Sequence, residues 1–190
     1  RNEVQAAKQA ATKALSSGEA PERALSLRAR ARFMERDYEG ARQDCVRALE
    51  LAPDQGEARQ YLVRIELELG NLTAARREVA QGLRLNPRAQ ALLLLEAELE
   101  VQARRWTPAL AAVERALEVN PNDELSWIAR GRVSQARADY LGARRHYERA
   151  RELDPNSSLA ARSLATALWG LGDREQALAE ADVALELARG

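Results

Sequence analysis

Four prolines stand 34 residues apart, at Pro53, Pro87, Pro121 and Pro155. A period of that length constrains the architecture more than any other property of the chain. Each period must fold into the same small unit, and the units must stack to bury their apolar faces. The residues entering each proline repeat too: Ala48-Leu49-Glu50-Leu51-Ala52, Gly82-Leu83-Arg84-Leu85-Asn86, Ala116-Leu117-Glu118-Val119-Asn120 and Ala150-Arg151-Glu152-Leu153-Asp154. A fifth copy runs Ala184-Leu185-Glu186-Leu187-Ala188, with Arg189 in the proline's place.

With the proline counted as position 32, position 20 is Ala41, Ala75, Ala109, Ala143 and Ala177, and position 27 is Ala48, Gly82, Ala116, Ala150 and Ala184. Position 8 is Ala29, Val63, Ala97, Gly131 and Ala165. Small residues at fixed places mark close approaches of helix backbones. Ala and Leu dominate a hydrophobic content of 46%, and aromatics are only 4%, so the composition favours helices over strands.

Each unit reads as a first helix of about fourteen residues, a turn, and a second helix that the proline ends. The turns are Arg36-Asp37-Tyr38, Gly70-Asn71-Leu72, Ala138-Asp139-Tyr140 and Gly172-Asp173-Arg174. Gly supplies a left-handed cap, and the Asp or Asn after it accepts free N–H groups of the second helix. In the third unit, Thr107-Pro108 predicts a second helix starting a residue or two late. Asp54, Asp123 and Ser157 are expected to cap the following first helices. The units are 22–55, 56–89, 90–123, 124–157 and 158–190. Residues 1–18 read as the second helix of a preceding unit, with Ala7, Ala11 and Ala14 in register and Ser16-Ser17-Gly18 as its end.

The pattern resembles the tetratricopeptide repeat (TPR) family over nearly the whole chain. The fourth unit carries it best, through Trp127, Gly131, Tyr140, Ala143, Tyr147, Ala150 and Pro155. The departures are Arg32, Glu66 and Glu100 at the Tyr of position 11, and Val79 and Val113 at the aromatic of position 24. The resemblance implies an all-α fold, a right-handed α-α superhelix (solenoid) of helix-turn-helix repeats. It also implies a concave groove, lined by first helices, that holds a peptide or helix of a partner protein.

The register then names candidate groove residues. Position 9 supplies Arg30, Arg64, Glu98 and Arg132, and position 5 supplies Ile128 and Arg162. Tyr61 and Leu95 stand at position 6, and Phe33 and Trp169 at position 12. Arginine beside apolar side chains suits an acidic-hydrophobic segment, because guanidinium forks bind carboxylates and the apolar residues take anchors. The alternative is that these arginines pair with Glu57, Glu68 and Glu98 and form a solvated face. The carboxylate clamp of chaperone-binding TPR proteins is not matched: Leu27, Glu57 and Tyr61 stand where its Asn, Lys and Arg belong.

Other function classes have little support. The 29 basic and 29 acidic side chains cancel, leaving no net field to draw nucleic acid. No apolar run approaches the roughly 20 residues of a membrane-inserted helix. No phosphate loop or metal-binding Cys pair is present, so no catalytic, metal or cofactor site is expected. His146 lacks the nucleophile or carboxylate pattern of a catalytic base, and Cys45 takes a core position as a small thiol. The lone Cys45 leaves cytoplasm and periplasm open.

The last helix keeps Leu178, Ala181, Leu185 and Leu187 with only Arg189-Gly190 following, and the first half unit lacks its first helix. The chain starts at Arg1, and both observations suggest a piece of a longer array. A second reading is self-association through the bare ends. A third, by analogy, is a scaffold domain in a bacterial exopolysaccharide- or pilus-export machine.

Overall fold

The computed structural model describes residues 2–18 and 20–189, the side chains of Asn2 and Glu3 excepted. Arg1, in the N-terminal half unit, and Gly190, in the fifth unit, lie outside the described residues. The chain divides into two compact units, residues 1–95 and residues 96–190. Among the described residues there are eleven helices and no strand.

The first unit holds α1 (Asn2–Ser17), α2 (Pro21–Met34), α3 (Tyr38–Leu51), α4 (Gly56–Glu68) and α5 (Leu72–Leu85), and α6 (Gln90–Gln102) as far as Leu95. The second holds the rest of α6, then α7 (Trp106–Val119), α8 (Glu124–Ala136), α9 (Tyr140–Leu153), α10 (Ser158–Leu171) and α11 (Arg174–Leu187).

The second helix of each of the five units begins at position 17, at Tyr38, Leu72, Trp106, Tyr140 and Arg174. The third unit is no exception, contrary to the late start that Thr107-Pro108 suggested. Pro108 sits in the first turn of α7, where an N–H has no intrahelical partner to lose. What holds the common start is the turn. Position 15 has positive φ in all five units: 62° at Arg36, 76° at Gly70, 55° at Arg104, 61° at Ala138 and 84° at Gly172. Glycine is the residue that adopts this conformation without strain, yet it occupies only two of the five places.

The caps follow the sequence in part. The side chains of Asp37, Asp139 and Asp173 accept from the backbone N–H three residues on. Asn71 does not: its Nδ2 donates to Glu66 at 2.8 Å, because that buried carboxylate needs the donor. Asp123 and Ser157 cap α8 and α10, whereas α4 is preceded by Gln55, not Asp54, at the capping place and has no side-chain cap.

Small residues at positions 8, 20 and 27 are buried in every hairpin, as the close approach of two helix backbones requires. In the second unit Tyr147, Leu164 and Leu168 pack with their alanine neighbours in an apolar cluster that also takes in the Tyr147 hydroxyl. That hydroxyl donates to Gln135 Oε1 at 3.1 Å. Charge pairs share the interior of the first unit, and the second keeps such a pair at the buried Glu100 with Arg105. Asp44 takes a two-pronged bond from Arg28, at 2.6 and 2.8 Å, and a third from Arg32 at 2.9 Å. Glu66 accepts from Arg42 at 2.8 Å, and Glu78 from Arg59 at 2.7 Å.

Candidate interaction surfaces

The first helices place one residue per turn away from their second helices, and position 9 is that residue. Arg30, Arg64, Glu98, Arg132 and Thr166 are all exposed. Position 13 is exposed throughout as well, at Met34, Glu68, Gln102, Ala136 and Gly170. A face with two such positions, one turn apart, is open to solvent on every first helix.

On the first unit, Arg30 and Arg64 have no ion-pair partner among the described residues of that unit. Glu68, offered by the sequence as a possible partner, instead accepts from the Tyr38 hydroxyl at 3.3 Å. Beside the arginines lies an aromatic cluster. Phe33 is 5.6 Å from Tyr38 and 5.8 Å from Tyr61, centroid to centroid, the second pair edge to face. Both Phe33 and Tyr61 are half-buried, so each keeps an edge at the surface.

On the second unit, Arg132 and Arg162 are exposed and likewise lack an ion-pair partner there. Trp169 is 56% exposed, with the Arg174 guanidinium 5.5 Å from its ring centroid. Arg28, Arg32, Arg59 and Arg130 on the same first helices are instead engaged with carboxylates.

Two expected apolar anchors are not available in this arrangement. Leu95 is only 3% exposed and Ile128 only 2%. Position 6 turns toward the preceding first helix, as Tyr61 does against Phe33, and a leucine is too short to emerge from there. Ile128, at position 5, packs in the core with Tyr147 and Leu164. Periodicity placed both near the exposed stripe but could not resolve its edge. Leu178 and Leu185 of α11, at 61% and 56% exposure, were visible in the sequence as part of an apolar stripe.

Groups with chemical potential are quiet. Cys45 is fully buried, and burial first, then the Asp44 carboxylate beside it, push its thiol up to about 12. The thiolate that a nucleophile requires is therefore scarce at neutral pH. His146 stands 5.9 Å from the Trp127 ring, and burial followed by the Arg130 charge lowers its pKa. Among the described residues no group of three or more His, Cys, Asp or Glu could hold a metal ion, and no helix is long and apolar enough to cross a membrane.

Two family models, both described as tetratricopeptide repeat, match residues 32–92 and 128–190. The chain belongs to the tetratricopeptide repeat family. No curated protein matches the sequence. Solved TPR structures match it well in shape. TTC0263, a thermophilic TPR protein of Thermus thermophilus, is 23% identical over 88% of this chain and 92% of its own, with a TM-score of 0.82. The APC/C hetero-tetramer Cut9-Hcn1 aligns with all of this chain and 38% of its own at 15% identity, with a TM-score of 0.85. YrrB, a TPR protein with an unusual peptide-binding site, is 21% identical over 95% of this chain and 93% of its own, with a TM-score of 0.61. These likenesses carry the fold class, an all-α, right-handed α-α superhelix of helix-turn-helix repeats. At such identities they carry the TPR fold alone.

Proposed function

We propose that this chain is a non-catalytic interaction scaffold whose five TPR units, 22–55, 56–89, 90–123, 124–157 and 158–190, present first-helix faces to a partner protein. The observation that carries this reading is the set of exposed, unpaired guanidinia at Arg30, Arg64, Arg132 and Arg162. An arginine without a carboxylate keeps its planar donor fork free for one brought by a ligand. The partner is an acidic-hydrophobic peptide or helix. On the first unit Arg30 and Arg64 bind carboxylates while Phe33 and Tyr61 take an apolar side chain. On the second unit Arg132 and Arg162 are the anion-binding pair, with Trp169 and Glu98 at the margin of that surface. The peptide-binding neighbour YrrB supports a peptide as the class of ligand, as a property of that protein and a proposal for this one.

A random peptide library panned against the chain tests this. Enriched sequences should combine Asp or Glu with Leu, Ile or aromatic residues. Arg64→Glu and Arg132→Glu should each weaken an enriched peptide about tenfold, the scale of one lost charge-assisted bond. Enrichment of basic peptides, or affinity unchanged in both variants, would sink the assignment.

A further inference from the structure

Side chains at positions 7 and 23 join the two helices of a hairpin through charge, and one hairpin leaves that joint incomplete. The first hairpin sets Arg28 against Asp44 at 2.6 Å, and the second sets Arg59, one turn earlier on its helix, against Glu78 at 2.7 Å. The third reverses the signs, with Glu96 3.1 Å from Arg115. In the fifth, position 7 is the apolar Leu164, and Glu180 at position 23 has Arg151 3.7 Å away. The fourth hairpin puts two donors in the joint, Arg130 at position 7 and His146 at position 23. It has α7 before it and α10 after it, so the joint lies inside the array.

Both donors rest on one ring. Trp127 is anchored by its indole N–H, which donates to the Pro121 carbonyl at 2.9 Å. The Arg130 guanidinium carbon lies 5.8 Å from the centroid of that ring, and the His146 ring 5.9 Å from it. A guanidinium resting on an aromatic face keeps its N–H edge free for an acceptor. Glu114 of α7 stands 3.8 Å from Arg130, an ion pair too long for a hydrogen bond, and its side chain is 56% exposed. Arg145 of α9 is a third cation here, exposed and without a carboxylate partner among the described residues. Burial, then Arg130 and Arg145, disfavour a protonated His146, while Asp139 favours it. Asp139 is itself occupied, accepting from the Gly142 N–H as the cap of α9, and Arg149, one turn beyond His146, is paired with Glu152 at 2.7 Å.

We infer that the α8–α9 joint is a binding site for a phosphate group, held by Arg130, Arg145 and His146. Two guanidinia and an imidazole offer more donors and charge than a carboxylate can match. A phosphate monoester brings three terminal oxygens and close to two negative charges. It takes the place that the carboxylates of Asp44 and Glu78 take in their own hairpins, and its charge favours the protonated imidazole. Arg132, two residues from Arg130, points about 200° away around α8. The site is therefore distinct from the first-helix faces proposed above and does not depend on them. Its phosphate is either the free ion or that of a phosphorylated side chain.

His146 is the single histidine of the chain, so its imidazole C–H protons give unambiguous NMR signals. Inorganic phosphate should shift them and half-saturate below about 10 mM, the range of a few exposed charge-assisted bonds. Sodium chloride at equal ionic strength should not. Saturating phosphate should raise the His146 pKa by about 0.5, which by linkage is about threefold tighter binding to the protonated form. Arg130→Gln should weaken binding about fivefold or more, and Arg145→Gln about twofold. Arg174→Gln, which removes the same charge from another hairpin, should leave binding unchanged. His146→Glu should complete the joint from within: phosphate binding, read for this variant by phosphorus NMR, is lost, and the melting temperature rises by about 2–4 °C. Tighter binding of a short phosphoserine peptide than of inorganic phosphate, with none by its unphosphorylated form, identifies a side-chain source; equal or weaker binding identifies the free ion. A His146 signal that responds to phosphate no more than to chloride overturns the inference. So does an Arg174→Gln chain weakened as much as Arg130→Gln, because net charge then accounts for the binding, or a His146→Glu chain that still binds phosphate.

Discussion

The two compact units run the same repeat on different interior chemistry. In the first, three carboxylates at or near the interior, Asp44, Glu66 and Glu78, are each matched by arginine. The second keeps one such pair at the buried Glu100 with Arg105, but in its last two hairpins the equivalent positions are filled by Ser134, Leu168 and His146, and Tyr147 fills the gap over Gly131. Glu180 is the one acid kept there, with Arg151 3.7 Å away. The period sets where helices start and where backbones touch. It leaves the remaining interior positions free to be salt-bridged or apolar, provided each site is internally complete. A buried ion pair offsets its desolvation only when all its bonds are made, so loss of one member is costly, whereas an apolar site loses stability in proportion to the volume removed.

The largest test of that contrast is Glu78→Ala. It leaves the Arg59 guanidinium, 3% exposed, bonded to the Pro53 carbonyl at 2.7 Å and deprived of its carboxylate. Uncompensated buried charge of this kind costs about 3–5 kcal/mol. Hydrogen exchange should show the loss concentrated in α4 and α5. A double change, Arg59→Leu with Glu78→Leu, should recover most of it, because the apolar version needs no partner. If the double variant is as unstable as the single one, the pair is not what organises that hairpin.

Gly131→Ala probes the apolar side. A Cβ there would enter the Tyr147 ring, which is 1% exposed and locked among core residues. The expected loss is about 2 kcal/mol in urea unfolding, overpacking outweighing the better helix propensity of alanine. Adding Tyr147→Leu should return part of that stability. A Gly131→Ala chain as stable as the parent would mean that the ring can move aside.

How far the sequence carries is clearest at these same positions. The proline period and the small residues at positions 8, 20 and 27 yielded the hairpins and their register, because backbone contact tolerates only Ala, Gly or Val there. The ion pairs were invisible, since Arg28 and Asp44 are 16 residues apart, Arg59 and Glu78 19, and Arg42 and Glu66 24, with no periodic signature linking them. Of the groove residues, the position 9 side chains emerged as exposed, while Leu95 and Ile128 turned inward. A helix face is about 100° per residue, so neighbouring positions on its edge are divided by what packs against them and not by spacing. The left-handed turn residue was legible only at Gly70 and Gly172. At Arg36, Arg104 and Ala138 the fold imposes the conformation on residues that resist it.

That strain exists in both units and should be relieved equally in each. Arg36→Gly, Arg104→Gly and Ala138→Gly are each expected to stabilise by about 0.5–1 kcal/mol, the left-handed penalty less the extra chain entropy that glycine loses on folding. Thermal melts of the three single variants check this. A gain at Arg36 without one at Ala138 would show that the turns are not equivalent between the units.

The smallest expected effect separates the units by pH. His146 lies only in the second unit, half-buried against Trp127, with Arg130 and Arg145 opposing its protonation and Asp139 favouring it. Burial is the main cause of its lowered pKa. The unfolded chain therefore binds a proton at His146 at a higher pH than the folded chain does. Stability from this group is complete above the ordinary histidine value of 6.5 and declines as pH falls from there through the lowered folded value. Amide exchange of α8 and α9 should quicken, relative to α2 and α3, as pH drops from about 7.5 to about 5.5, a window spanning the histidine range, after correction for intrinsic rates. His146→Gln should remove that difference. If it persists in the variant, the pH response of the second unit lies with its carboxylates and not with the histidine.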